Sequence, residues 1–432
     1  MPQIVRCSCG QQLQVEVPPQ GVRVRCPSCS AELSLSGQPT APVSQPVVPF
    51  SPASAPPSTG SNPFGTAAAP HRPTAPKNAS PVKILAIVVA SMAALLLLAC
   101  GGVFALQSFN GGGQAVALEE SDKPVTKAEV EKVSAEIESG LQSGAIAIVE
   151  SHIDWERMIA ESIANLDLNA GFKSQFGKGL LQGIQTRGWA GPVHQATSGN
   201  VKLLRVRDKE RGPVALLRIE PTGAGVGYFE IAYFRDTDDK VKVADIYNFA
   251  TGEWLTETLY RMSLPLVAEQ NKSILEKLNG NESLLVKHLS DLERIRMLGQ
   301  TNPDAALRSF RTLPPSVQQD KSFMILRITI ATQAEDDSEY DSALKDFMRL
   351  FPNDPAAALF SIDYYALQGE LDKSIAAIDK LNEMVGGDAA LLVLRASVHS
   401  VSGDTQAAKE DLNKAIEMEP EHKGAQEMLR QL

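Results

Sequence analysis

Hydrophobic and polar positions change their rhythm several times along this chain. Leu13–Val17 and Val22–Arg25 alternate apolar and polar residues, as paired strands do, with Pro18-Pro19-Gln20-Gly21 as a turn between them. Leu33-Ser34-Leu35 offers a third short strand. Ile84 to Leu106 is an unbroken run without a charge. Beyond it the helical period takes over. Thr126-x-x-Glu129 forms a capping box, and Val130, Val133, Ile137 and Leu141 mark one apolar stripe. Further helices are expected over Ala145–Asn165 and Ala170–Thr186. The period then falls to two, predicting strands at Val201–Val206, Val214–Ile219, Gly225–Phe234 and Lys240–Phe249, before a helix over Trp254–Leu278. The rest of the chain reads as helices. Over 355–432 it repeats at a step of about 34 residues: Gly369 aligns with Gly403, Ser374 with Ala408 and Ile378 with Leu412.

Composition divides the chain further. Residues 37–81 hold 12 of the 27 prolines and no acid, which predicts a disordered Pro-rich linker. Residues 107–124 form a second, shorter linker. As a helix the run 84–106 is about 34 Å long, enough to cross a hydrocarbon core of about 30 Å. We therefore expect one transmembrane helix within 82–106. Arg72, Lys77 and Lys83 precede the span, and Glu119, Glu120 and Asp122 are the first charges after it. The positive-inside rule then places the N-terminus in the cytoplasm and the C-terminal regions outside, on a cytoplasmic (inner) membrane. The whole chain carries 41 basic and 51 acidic side chains, a net of −10. That balance argues against general nucleic-acid binding.

Cys7-Ser8-Cys9 and Cys26-Pro27-Ser28-Cys29 present four thiols in two close pairs, the chemistry of a closed structural Zn²⁺ site. The expected ligands are Cys7, Cys9, Cys26 and Cys29, with zinc in a structural role. Four thiolates fill the tetrahedral shell and leave no open position for catalysis. With its short flanking strands this segment resembles a zinc ribbon over residues 1–36; its first pair is C-x-C where the usual ribbon spacing is C-x-x-C. In the last 34-residue copy Leu392, Ala396, Ala408, Leu412, Ala415 and Pro420 stand where a tetratricopeptide repeat places large, small, small, large, small and Pro. Residues 281–432 thus resemble a tetratricopeptide-like solenoid, which implies a groove for proteins or peptides, with Leu359, Asp363, Val393 and Ser397 as groove-facing positions. Such a head on a Pro-rich tether resembles membrane proteins of planctomycete-type bacteria.

The region 125–280 has helices followed by an antiparallel meander and is expected to be α+β. Its element order is similar to NTF2-like and cystatin-like folds, some of which hold pockets. Asp154, Glu156, Glu161, Glu230 and Asp245 are the candidates for acid–base pairs there, and none has a partner at a diagnostic spacing. Gly223-Ala224-Gly225-Val226-Gly227 lies between two strands, so it reads as a hairpin and not as a phosphate loop. No catalytic set emerges, and the chain is read as a non-enzyme. The expected function is a single-pass, membrane-anchored interaction scaffold. The alternatives are a small-ligand receptor or enzyme using a pocket in 125–260, and a transmembrane regulator whose zinc ribbon contacts a transcription factor or nucleic acid.

Overall fold

The computed structural model describes residues 2–6, 12–16, 22–25 and 32–35, and then 120–432 apart from 167, 186–187, 211, 222–224 and 271–279. The chain divides into two units, Met1–Thr74 and Ala75–Leu432.

In the first unit β1 (Pro2–Arg6) pairs antiparallel with β2 (Gln12–Glu16), and β3 (Val22–Arg25) with β4 (Glu32–Leu35). This corrects the expected pairing. The segments around 13–17 and 22–25 are strands, but each pairs with the strand on the far side of its neighbouring cysteine pair. The linkers 37–81 and 107–119 and the apolar run 84–106 lie outside the described residues. Among the described residues, no helix is long and apolar enough to cross a membrane.

The second unit opens with α1 (Lys127–Ser143), whose capping box forms as the sequence requires: Thr126 caps Glu129 and the Glu129 carboxylate returns to the Thr126 backbone N–H. The single helix expected over 145–165 is two: α2 (Ile146–His152) and α3 (Trp155–Ala164). Ile153 breaks them by bridging in parallel to Val243, and Asp154 caps α3 through the Arg157 N–H. α4 (Ala170–Gln185) follows, then α5 (Ala190–Thr197), which periodicity missed.

A five-stranded antiparallel meander comes next: β5 (Val201–Lys209), β6 (Gly212–Ile219), β7 (Gly227–Arg235), β8 (Val241–Asn248) and the short β9 (Glu253–Trp254). It carries the α+β order expected of this region. The outer edge of β5 is blunted by α1, where Glu138 accepts from the Leu203 N–H and Gln142 donates to the Val201 carbonyl. One sheet face packs on the helices: Tyr233 shares a hydrogen bond with Ser134, and the Phe229 ring meets Trp189 edge-on at 5.3 Å. The other face is buried too. β6 and β7 are covered almost residue by residue, without the alternation of a sheet open to water.

α6 (Leu255–Gln270) leads from the sheet, and the remainder of the helix expected to Leu278 lies outside the described residues. The C-terminal region is helical: α7 (Gly280–Lys287), α8 (Leu289–Thr301), α9 (Pro303–Arg311), the short α10 (Pro315–Gln318), α11 (Lys321–Gln333), α12 (Asp337–Leu350), α13 (Pro355–Leu367), α14 (Leu371–Val385), α15 (Ala389–Ser402), α16 (Thr405–Met418) and α17 (Lys423–Gln431). Helices α7 and α8 meet at His288. The helices pack as successive antiparallel pairs. Helices α11, α13, α15 and α17 start at Lys321, Pro355, Ala389 and Lys423, each 34 residues after the last. The alternating helices α9, α12, α14 and α16 start at Pro303, Asp337, Leu371 and Thr405, on the same step. Small residues lie where the helices of a pair approach, with Ala396, Ala408 and Ala415 fully buried. One apolar core runs from α1 through the sheet into α11–α15.

Candidate functional site

Cys7, Cys9, Cys26 and Cys29 lie outside the described residues. In sequence Cys7 and Cys9 fall between β1 and β2, and Cys26 and Cys29 between β3 and β4. Among the described residues, no cluster of three or more His, Cys, Asp or Glu is arranged to hold a metal.

The five candidate carboxylates of the α+β region separate by role. Asp154 caps α3, and Glu156 is exposed. Glu230 is 4% exposed on β7 and is neutralised by Arg207 at 3.2 Å and Lys209 at 2.6 Å, both from β5, two strands away. Glu161 and Asp245 come together. They line one open cavity of about 1120 Å³ at the β5–β6 hairpin end of the sheet, with Arg157, Lys209, Phe234 and Trp254 also on its wall. The sheet–helix interior is filled by apolar side chains, so this cavity lies beside the core and not inside a cone.

Asp245 is held firmly. Its Oδ2 accepts from the Thr256 hydroxyl at 2.5 Å, and its Oδ1 accepts from the Ile246 and Thr256 N–H groups at 2.8 and 3.2 Å. Burial nevertheless pushes its carboxyl up to about 6, against those hydrogen bonds and with help from the negative Glu161. The Arg157 guanidinium lies over the Phe234 ring at 4.1 Å and pairs with Glu120 and with Glu161 at 2.7 Å. The cavity thus presents one carboxyl that changes charge near pH 6 beside a fixed ion-pair group. That combination can bind a polar ligand or exchange a proton with one.

The second concentration of polar side chains is the seam between the sheet and the helix pairs. Arg218 on β6 is 3% exposed and reaches Asp388 at 2.6 Å, Glu419 at 3.0 Å and Glu220 at 2.9 Å. Tyr228, its neighbour on β7, donates to the other Asp388 oxygen at 2.7 Å. Lys202, opposite Arg218 on β5, pairs with Glu419 at 3.0 Å. Burial pushes the Glu419 carboxyl up, but Arg218 and Lys202 outweigh it and hold it below the usual carboxylate range. Further along β5, Arg205 donates to the Gly386 and Gly387 carbonyls and Arg207 to that of Met384. The backbone at Gly386 favours glycine. Its φ is +79°, and a Cβ on it would stand 2.6 Å from an Arg205 nitrogen. Lys321 closes the far end by bridging Asp354 and Glu253.

The groove-facing positions expected from sequence do not form one open surface. Leu359 and Asp363 are buried, and Asp363 accepts from the Tyr340 hydroxyl of the preceding helix pair at 2.7 Å. Val393 and Ser397 are half-buried. Open surface instead follows the C-terminal halves of these helices, where Tyr364, Tyr365 and Ser400 are half-buried and Val401 is 64% exposed.

The seam was missed because its partners are some 170–200 residues apart in sequence. One local signal existed: Gly386-Gly387-Asp388, a double turn glycine ahead of a helix cap. No family model, characterised protein or solved structure matches this chain.

Proposed function

We propose that this protein is a single-pass, membrane-anchored interaction scaffold. In this reading residues 1–36 form a cytoplasmic zinc ribbon on Cys7, Cys9, Cys26 and Cys29. Residues 84–106 span the membrane, and the Ala75–Leu432 unit carries tetratricopeptide-like repeats outside it. The observation that carries the reading is the 34-residue step of the helix starts, which extends across α9–α17 and builds a regular stack of helix pairs. The position of the two cysteine pairs in sequence between paired strands supports the ribbon. The sheet already engages the N-terminal ends of α11, α13 and α15, through Lys321, Asp354 and Asp388. Partner proteins are therefore expected on the C-terminal halves, around Tyr364, Ser397 and Val401.

The test uses the full chain in its native membrane, with a photo-crosslinking residue at Val401 and, separately, at Arg207. The scaffold reading expects a discrete protein adduct from 401 and none from 207. Equal labelling from both positions, or protease access to both ends of the chain from one side, overturns it. Zinc bound to residues 1–36 and lost on Cys26→Ser checks the ribbon.

The cavity at Asp245 favours a second reading, a receptor for a small polar ligand. A ligand of that kind should protect Asp245 in carboxylate footprinting while leaving Glu156 reactive.

A further inference from the structure

Helices α11, α13, α15 and α17 occupy equivalent places in the stack, and their caps are Asp320, Asp354, Asp388 and His422. In the first three a carboxylate accepts from the first-turn backbone: Ser322 N at 2.9 Å, Ala356 N at 2.9 Å and Ala390 N at 3.2 Å. In the fourth the acceptor is the His422 ring, whose Nδ1 takes the Ala425 N–H at 3.2 Å. His422 is 7% exposed. A ring nitrogen that accepts must carry a lone pair, so the neutral ring's proton sits on Nε2. That Nε2 is buried and has no hydrogen-bond partner among the described residues.

Protonation reverses every part of this arrangement. Both ring nitrogens then donate, and the cap acceptor is gone. A positive charge arrives at the positive end of a helix dipole, in a buried place. The surroundings offer it no counter-charge. The elements packed against α17 are α15 and α16. Arg395 and His399 of α15 face Asp411 of α16, and Arg395 also holds Asp379. Lys409 is half-buried, and Glu410, Lys414 and Glu417 are exposed on α16. On the segment itself Glu419 is held by Arg218 and Lys202, while Glu421, Lys423, Glu427 and Arg430 are exposed. Among the described residues, no carboxylate lies within ion-pair distance of the His422 ring. A carboxylate cap keeps its charge in mildly acidic solution.

We propose that α17 is an acid-released end cap of the helix stack. With His422 neutral, α17 is seated, and Met428, Leu429 and Leu432 pack against the cluster of Leu392, Ala396, Leu412 and Ala415. With His422 charged, the seat is lost and that apolar end of the stack is uncovered. The device is independent of what the repeats bind.

Backbone hydrogen exchange on the full chain tests it, at about pH 7.5 and about pH 5.5, corrected for intrinsic rates and referenced to the α15 and α16 amides. His422→Asp and His422→Asn supply caps of a kind that folds well. For the unmodified protein the protection of α17 should fall roughly fivefold or more on acidification, the factor that loss of one cap implies. Neither variant should show that fall. Unchanged α17 protection in the unmodified protein, or an equal fall in His422→Asp, overturns the proposal.

Discussion

The two faces of the central sheet are both buried, yet they are sealed by different means. Against α1 and α5 the contact is apolar and aromatic: Leu217, Phe229, Ile231 and Ile246 are all but inaccessible. Against the helix pairs the apolar core continues, but an ionic network is added to it, with Arg218, Tyr228, Asp388, Lys202 and Glu419 joined together. Apolar burial supplies stability in proportion to area and asks little of geometry. A buried ion network adds little net stability but is costly to leave incomplete, so it fixes one docking arrangement among many. The apolar contacts therefore supply stability on both faces. The repeat side determines where the stack sits.

The largest effect is expected on the apolar side. Phe229→Ala removes a ring that is 1% exposed and packed edge-on against Trp189, and should cost about 3–5 kcal/mol. Chemical denaturation should show the sheet and α11–α15 failing in one transition, because a single core runs through both. Separate transitions for the two would break the comparison at its base.

The ionic side comes next. Asp388→Ala strips Arg218 and Tyr228 of their shared acceptor and α15 of its cap. It should cost about 3 kcal/mol. Arg218→Met together with Asp388→Asn should cost clearly less than the sum of the single changes, because the pair leaves no lone buried charge. Strict additivity in that double-mutant cycle would show that the network does not act as one. Lowering the pH should loosen this seam through Glu419. Its carboxyl is held below the ordinary range, so its contribution is complete above that range and disappears as the pH falls through the native value.

Much of the architecture was legible because it is written in local chemistry. The Thr126–Glu129 box, the strand series from Val201 to Asn248 and the 34-residue step each follow from neighbouring residues and turn signals. What escaped has an equally physical reason. α5 begins Ala190-Gly191-Pro192, and a first-turn proline reads as a stop to a periodicity search although it is well placed at a helix start. Glu230 shows no partner at a diagnostic spacing because Arg207 and Lys209 reach it from across β6. Nothing local announced that the second face of the sheet would be covered, since what covers it lies far onward in the chain, as Asp388 does from Arg218. Of the candidate site, Asp245 and Glu161 were named singly from the sequence, and only the fold brings them into one cavity.

Asp245 sharpens the comparison from the edge of the same face, where burial is not matched by a cation. Its carboxyl is pushed up, so the native state binds its proton more tightly than the unfolded chain does. Stability from this group is best below the ordinary carboxylate range and declines as the pH rises to about 6, with the full penalty above that. Asp245→Asn should therefore raise stability at neutral pH by about 1–2 kcal/mol, discounted for partial exposure, and leave it nearly unchanged at about pH 4. Equal gains at both pH values would show that charge is not the cause. A loss at neutral pH would mean that the carboxylate's hydrogen bonds to Thr256 and Ile246 outweigh its burial.

The smallest effect is expected where an ion pair stands outside the seam. Lys123 and Asp239 meet at 2.9 Å with both side chains more than half exposed. Water solvates each charge almost as well as the partner does, salt screens the pair, and ordering two side chains offsets part of the remaining attraction. Lys123→Ala should change stability by less than about 1 kcal/mol, and the difference should shrink further in high salt. Asp388→Ala measured beside it should keep most of its cost at the same salt concentration, because buried charges are poorly screened. A Lys123 variant as damaging as the Asp388 variant would mean that the ordering of residues 121–124 against Arg235, through the Ser121 N–H and the Lys123 and Pro124 carbonyls, governs that corner instead of the ion pair. The contrast between the two substitutions isolates burial, and not the presence of opposite charges, as the property that makes the repeat-facing side selective.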